Sequence, residues 1–178
     1  MADRTEIACS CGQVRLEVQG KPIASVECCC SSCREAGVRI RKLEGSPPVL
    51  TDYDATPFVM YRKDRVRVLS GAKSLASFRL TPNSSSERII ATCCKTPVYL
   101  DFKHGHWFSL YGTLWPDGAL PPPEMRTMAS NLPEGAHLPD DIPNAKKQSL
   151  GFFAKLFGAW VVMGFRTPKA PEIGEINV

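Results

Sequence analysis

The sequence predicts a mainly β protein, with small antiparallel sheets built around metal and one C-terminal helix. Three observations lead there. Apolar and polar residues alternate with a period of two along several short runs, turn residues separate those runs, and eight cysteines fall in three tight groups. A chain of 178 residues allows one domain with a real core and is short for two.

Val14, Leu16 and Val18 alternate with Arg15 and Glu17, and Val66 and Val68 alternate with Arg65 and Arg67, so each run offers one apolar face and reads as a strand. Val38-Arg-Ile-Arg-Lys42 shows the same alternation and reads as a half-buried strand. Further strands are predicted at Ala76–Leu80, Arg88–Thr92, Val98–Phe102 and Trp107–Leu114. Pro82-Asn83-Ser-Ser-Ser86, Lys95-Thr-Pro97 and His104-Gly105 punctuate them, with His104 and His106 expected at an exposed hairpin tip.

Beyond Leu114 the texture becomes Trp-Pro-Asp-Gly, Pro121-Pro-Pro123 and Leu138-Pro-Asp-Asp-Ile-Pro143, as in irregular chain laid over a surface. Residues 1–115 are therefore read as the metal-binding β domain, and 116–178 as a Pro-rich irregular segment with a helix packed on that same domain. The helix is predicted over Ser149–Phe165, where Phe153, Leu156, Phe157, Trp160 and Val161 recur at spacings of three and four. A membrane span needs about 20 apolar residues. This run is shorter and holds Lys155, Gly151, Gly158 and Gly164, so packing on the β core or at a homodimer contact is expected rather than a span or an interfacial membrane helix. The Pro-rich stretch Thr167–Pro171 ends it.

Charge excludes less than it permits. Twenty-two basic against eighteen acidic residues give +4, and the basic stretches Val38–Lys42 and Tyr61–Arg67 have the look of solvated strand faces. Nucleic-acid binding is not expected; a pocket for a small anionic ligand is.

The cysteines lie at Cys9-Ser-Cys11, Cys28-Cys29-Cys30-Ser-Ser-Cys33 and Cys93-Cys94. Neighbours one to three residues apart suit a shared ion, since a turn can aim two thiolates at one centre, whereas a disulfide needs Cβ separations and a dihedral that such close residues seldom reach. The polar start Met-Ala-Asp-Arg-Thr-Glu offers no apolar core of a secretory signal, so a reducing cytoplasmic setting is expected, where clustered cysteines bind metal or do chemistry.

Ligand counting separates two roles. Cys28, Cys30 and Cys33 supply three thiolates from a short stretch and leave a vacancy, the mark of a catalytic zinc, and a unit of net charge −1 would hold an added thiol as thiolate. Cys9 and Cys11 with Cys93 and Cys94 offer up to four sulfurs, enough for a closed structural site that contributes on the order of 10 kcal/mol to folding. Cys29 is left over and is expected as a buried or spare thiol.

Cys-x-Cys-Gly-x-Val (Cys9 to Val14), Cys-x-Cys-x-x-Cys-Arg (Cys28 to Arg34) and Arg-x-x-x-x-x-Cys-x-Thr-Pro (Arg88 to Pro97) resemble, in order and spacing, the glutathione-dependent formaldehyde-activating enzyme family, which includes centromere protein V. The resemblance covers the first hundred residues. It implies a β-tent fold with two zinc ions: Cys9, Cys11 and Cys94 match the structural ligands, and Cys28, Cys30 and Cys33 the ligands of the zinc that faces substrate. The family's last knuckle is usually Cys-x-x-Cys-Gly-Thr-Pro, and here Ala91 and Lys95 stand where a cysteine and the glycine belong. Either Cys93 takes the vacant corner through a rearranged turn, or the site has three thiolates and water, or it is empty.

The activity implied by the resemblance is carbon–sulfur bond formation: the thiol of glutathione or a similar carrier adds to a small aldehyde such as formaldehyde. Arg34, Arg39 and Arg41 follow the ligand group most closely and are the expected partners of glutathione's carboxylates. Two rival readings are a non-catalytic module whose zinc serves only folding, and a redox or metal-handling protein that uses Cys29 and Cys93 as mobile thiols.

Overall fold

The computed structural model describes residues 3–170, 173–176 and 178; the beginning of the chain before Asp3, and Pro171 of the expected tail, lie outside the described residues. Strands β1 (Arg4–Ala8), β2 (Arg15–Gln19) and β5 (Val66–Ser70) form a three-stranded antiparallel sheet in the order β1-β2-β5. It lies on a larger sheet made of β3 (Ala24–Cys28), β4 (Thr56–Arg62), β6 (Leu75–Phe78), β7 (Ser86–Ala91), β8 (Pro97–Phe102), β9 (Trp107–Tyr111), β10 (Met125–Thr127) and β11 (Gly174–Glu175). The order across that sheet is β10-β3-β4-β9-β8-β7-β6-β11, antiparallel except for the two edge pairings, β10 with β3 and β11 with β6.

Period-two geometry splits the core in two. Val59, Tyr61, Ile89, Tyr99 and Leu110 point from the large sheet toward Ile7, Val14, Leu16 and Val18 of the small one. Their sequence neighbours Phe58, Met60, Ile90, Leu100 and Tyr111 point the other way, toward helices α1 (Ser31–Arg41) and α2 (Leu150–Val162). The fold is thus mainly β with two helices, and the large sheet is mixed rather than purely antiparallel.

One expectation fails outright. Val38–Lys42 is not a strand: residues through Arg41 belong to α1, whose buried face is Cys33, Ala36, Gly37 and Ile40, while Val38 is 50% exposed. That spacing of three, four and seven is helical, and the apparent alternation came from two arginines flanking Ile40. Cys30 starts the helix as N-cap, its sulfur accepting from the Cys33 N–H at 3.4 Å.

The segment after residue 116 is also more ordered than its proline content indicates. Arg126 on β10 is 1% exposed, pairs with Glu27 Oε2 through Nε at 2.7 Å and with Asp141 Oδ1 through Nη1 at 2.7 Å, and lies over the Tyr53 ring. The Tyr53 hydroxyl donates to Glu27 at 2.8 Å and closes the network, which pins the strand edge and the loop up to Asn144. His106, expected to be exposed, is buried; a ring nitrogen meets the Leu156 carbonyl at 2.9 Å, and Trp160 stacks on the ring. The hairpin tip is exposed at Lys103 and His104, whereas α2 covers His106. Among the described residues no helix is long and apolar enough to cross a membrane.

Candidate metal centres and the cavity beside them

Four sulfurs meet at the edge of the small sheet. Cys9 and Cys11 sit on the turn after β1, where Gly12 donates to the Cys9 carbonyl at 2.8 Å with φ +76, a conformation open to glycine. Cys93 and Cys94 sit on the turn between β7 and β8. Separations are 3.6 Å for Cys9–Cys11, 3.9 Å for Cys9–Cys93, 3.4 Å for Cys11–Cys93 and 3.8 Å for Cys93–Cys94. A zinc ion with bonds of about 2.3 Å has sulfur–sulfur edges of about 3.8 Å in a tetrahedron, so the four thiols fit a closed zinc site. Cys93 stands at the corner left vacant at Ala91, whose own backbone is consumed by the turn: its N–H donates to Thr96 O and its carbonyl accepts from Lys95 N–H, both at 2.8 Å.

Thr96, fully buried, ties the two turns together by accepting from Ser10 N–H at 3.1 Å and donating to Ser10 Oγ at 2.9 Å. Burial opposes ionisation of Cys94, but hydrogen bonds from Ser10, Thr96 and nearby backbone N–H groups win and bring its thiol down to about 5. Burial pushes Cys93 up, helped by its sulfur neighbours.

The second cluster lies across the large sheet. Cys28 ends β3, Cys30 caps α1, Cys33 lies in its first turn, and the three sulfurs are within 4.8 Å of one another. Hydrogen bonds from Cys28 and Cys33, with the Ser32 hydroxyl and the Cys33 N–H, hold the Cys30 thiol far below its ordinary value, and the helix N-terminus favours the same charge. Cys28 and Cys33, as donors to it, are pushed up. No fourth histidine, cysteine or carboxylate joins this group among the described residues.

Instead the sulfurs line the wall of a cavity of about 530 Å³. Phe58, Met60, Phe102 and Trp107 from the sheet and Phe152 and Leu156 from α2 make it largely apolar. One strong exception faces the thiols. Arg88 is 2% exposed; its Nη2 donates to the Ser32 carbonyl at 3.1 Å, while Nε and Nη1 are buried with no partner. No carboxylate lies within ion-pair distance of it among the described residues.

The arginines expected to meet an anionic ligand are elsewhere. Arg34 donates to the Asn131 carbonyl at 2.6 Å, Arg39 pairs with Glu35 one helical turn back, and Arg41 is exposed at the end of α1; none lines the cavity. They lie there because the chain that follows Cys33 is a helix and not a strand. Arg88 opens the third motif of the sequence but was not expected in the site; its signal is positional, since it has the parity of Ile90, an inward position, on a face it shares with Ser86. Cys29 points away from both clusters, is fully buried, and burial pushes its thiol up to about 11, as suits an inert core thiol.

By sequence, the chain matches no curated protein. A solved structure, that of a Rhodobacter sphaeroides protein, aligns at TM-score 0.46 with 17% identity, over 64% of this chain and 89% of that one. The sequence model of a family described as glutathione-dependent formaldehyde-activating enzyme matches residues 4–124, a span that contains both sulfur clusters, Arg88 and most of the cavity's sheet wall. The chain therefore belongs to the glutathione-dependent formaldehyde-activating enzyme family.

Proposed function

We propose that the protein joins a thiol such as glutathione to a small aldehyde such as formaldehyde, and splits the adduct in reverse, as a carbon–sulfur lyase of a reducing compartment. The observation that carries this reading is the shared cavity wall of Cys28, Cys30, Cys33 and Arg88, whose Nε and Nη1 are buried without a partner. The family match and the packing of two sheets over two sulfur clusters agree with a β-tent built on two zinc ions.

Cys28, Cys30 and Cys33 would hold a zinc ion, which when bound accepts a further sulfur and favours its thiolate form. The residues around it do the rest. Arg88 offers two N–H groups to a carboxylate of the thiol substrate and fixes its orientation. Phe58, Trp107 and Phe152 keep water from the aldehyde carbon. The substrate sulfur forms a bond to that carbon, the carbonyl π pair moves to oxygen, and the proton released by the thiol ends on that oxygen as a hydroxyl. The product is a hemithioacetal, with no net oxidation. Cys9, Cys11, Cys93 and Cys94 take no part beyond holding β1 to the β7–β8 turn.

Carbon-13 exchange spectroscopy on labelled formaldehyde and glutathione tests the proposal with the zinc-loaded protein. An exchange rate above the spontaneous one, abolished by Cys33→Ser, is expected. Spontaneous rates with both ions retained, and no glutathione bound by calorimetry, would assign the protein to the non-catalytic module instead.

A further inference from the structure

Helix α2 has two apolar faces and only one of them is used. Phe152 and Leu156 are buried in the core beside the cavity. Leu150, Phe157 and Val161 line another side at spacings of seven and four and are 89%, 58% and 44% exposed, and Phe153, 52% exposed, lies between the two sides at the rim of the cavity. Val162, the last residue of the helix, and Phe165 beyond it are also exposed. The helix itself is well defined at both ends. Ser149 caps it by accepting from Phe152 N–H at 3.1 Å, and at the other end Gly164 N–H reaches Val161 O at 2.9 Å while Phe165 N–H reaches Trp160 O at 3.0 Å, the paired bonds of a Schellman stop. A frayed tail does not explain the exposed side chains.

The stretch of chain that carries this patch has charge of one sign. From residue 142 through residue 170 the chain holds Lys146, Lys147, Lys155, Arg166 and Lys169 and no acidic residue. All five are exposed; Lys155 pairs with Glu124, and the other four have no ion-pair partner among the described residues. Exposed aromatic and aliphatic side chains on a short helix, with cations at its ends, match the physics of an element that lies in the plane of a lipid headgroup layer. A two-fold contact between copies would bring like charges from both chains together, which disfavours a second copy as the occupant.

We propose that α2 docks the protein on an anionic lipid surface, with Phe153, Phe157 and Val161 inserted among the headgroups and Lys146, Lys147, Arg166 and Lys169 against the lipid phosphates. The attachment is peripheral, since α2 has 13 residues. Phe153 also borders the three-thiol cavity, so docking and the chemistry proposed there share one side chain, and the test below reads lipid binding alone.

Co-sedimentation of the full-length, zinc-loaded protein with vesicles of phosphatidylcholine alone or mixed with phosphatidylserine tests this. Binding to the mixed vesicles and not to neutral ones is expected, falling with salt and weakening roughly fivefold for each of the four cations changed to Gln. Phe153→Glu with Phe157→Glu removes binding, while an unchanged melting temperature and zinc content show that the fold is intact. Equal binding to neutral vesicles, no binding to either, or binding that survives the double substitution would overturn the proposal. So would light scattering that shows a dimer in solution which the same double substitution splits, since the face would then be a contact between copies.

Discussion

Arg88 and Ser32 are joined by a single hydrogen bond, Nη2 to the Ser32 carbonyl at 3.1 Å, and this bond aims the rest of a buried guanidinium into the cavity. A buried guanidinium with two N–H groups unmet and no carboxylate partner among the described residues is destabilising and is suited to receive an anionic ligand. Arg88→Met keeps the bulk and removes the charge. The free protein is expected to melt at the same or a higher temperature, while the KM for glutathione rises roughly 10- to 100-fold, the worth of a charge-assisted bond. Thermal melts and steady-state kinetics on one preparation decide it; a lower melting temperature with unchanged KM would make Arg88 structural.

Cys93 and Ala91 give the four-sulfur site a test by spacing. Cys93→Ala is expected to lower the zinc content by one ion per chain and to cost several kcal/mol, since a three-sulfur remainder cannot close the site. Adding Ala91→Cys to that variant reinstates the Cys-x-x-Cys spacing with Cys94 that the family usually has, and the lost ion is expected to return. Mass spectrometry of metal content reads both steps.

What could be read from the sequence follows from how local each signal is. The strands at Arg15–Gln19, Val66–Ser70, Pro97–Phe102 and Trp107–Tyr111 were legible because half-buried strands alternate, or because turn residues frame them. Strands β3 and β4 were not, because both faces of Val26 or Phe58 and Val59 are covered and no alternation survives burial on two sides. The cysteine groups were legible for the same reason as the turns, since ligands within one group are neighbours in sequence. That Cys9 and Cys93 meet is visible only when β1 is placed beside the β7–β8 turn. Arg88 was in plain view, but an unpartnered group is defined by what surrounds it in space.

Lys95 stands where the family's knuckle has glycine, and it adopts φ +58, the left-handed region that costs a side-chain-bearing residue about 1 kcal/mol. Its Nζ compensates by donating to the Thr92 carbonyl at 2.7 Å. Lys95→Ala keeps the strain and loses the bond, so it should be about 1 kcal/mol less stable in urea denaturation. Lys95→Gly loses both and should stay near the parent. If Ala and Gly are equal, backbone strain is not what the family's glycine relieves.

His106 makes α2 sensitive to acid. Burial holds its imidazole below the ordinary value, outweighing the bond to the Leu156 carbonyl, with Lys63 and Arg62 adding to the effect. The unfolded chain takes up this proton near pH 6.5 and the folded one only lower, so the associated stability is complete above about pH 6.5 and lost as pH falls through the folded value. His106→Gln can still donate to Leu156 O but does not titrate. Its melting temperature should fall less between neutral and mildly acidic pH than that of the parent protein.

Arg126 supports the three-thiol site from behind. It lies opposite Glu27 in the β10–β3 register, next to the pairing of Thr127 with Cys28, and Thr127 O accepts from Cys29 N–H at 2.9 Å. Arg126→Met would leave Glu27 buried without its cation, a change that costs about 3–5 kcal/mol when one partner of a buried pair is removed. Glu27→Gln in the same chain should recover part of the stability, since the buried charge is then gone. Since β10 holds the strand that ends at Cys28, titration with a chelator should strip the Cys28, Cys30 and Cys33 ion from Arg126→Met before the ion at Cys9, Cys11, Cys93 and Cys94. Loss in the opposite order would show that the network supports the loop at 139–144 alone.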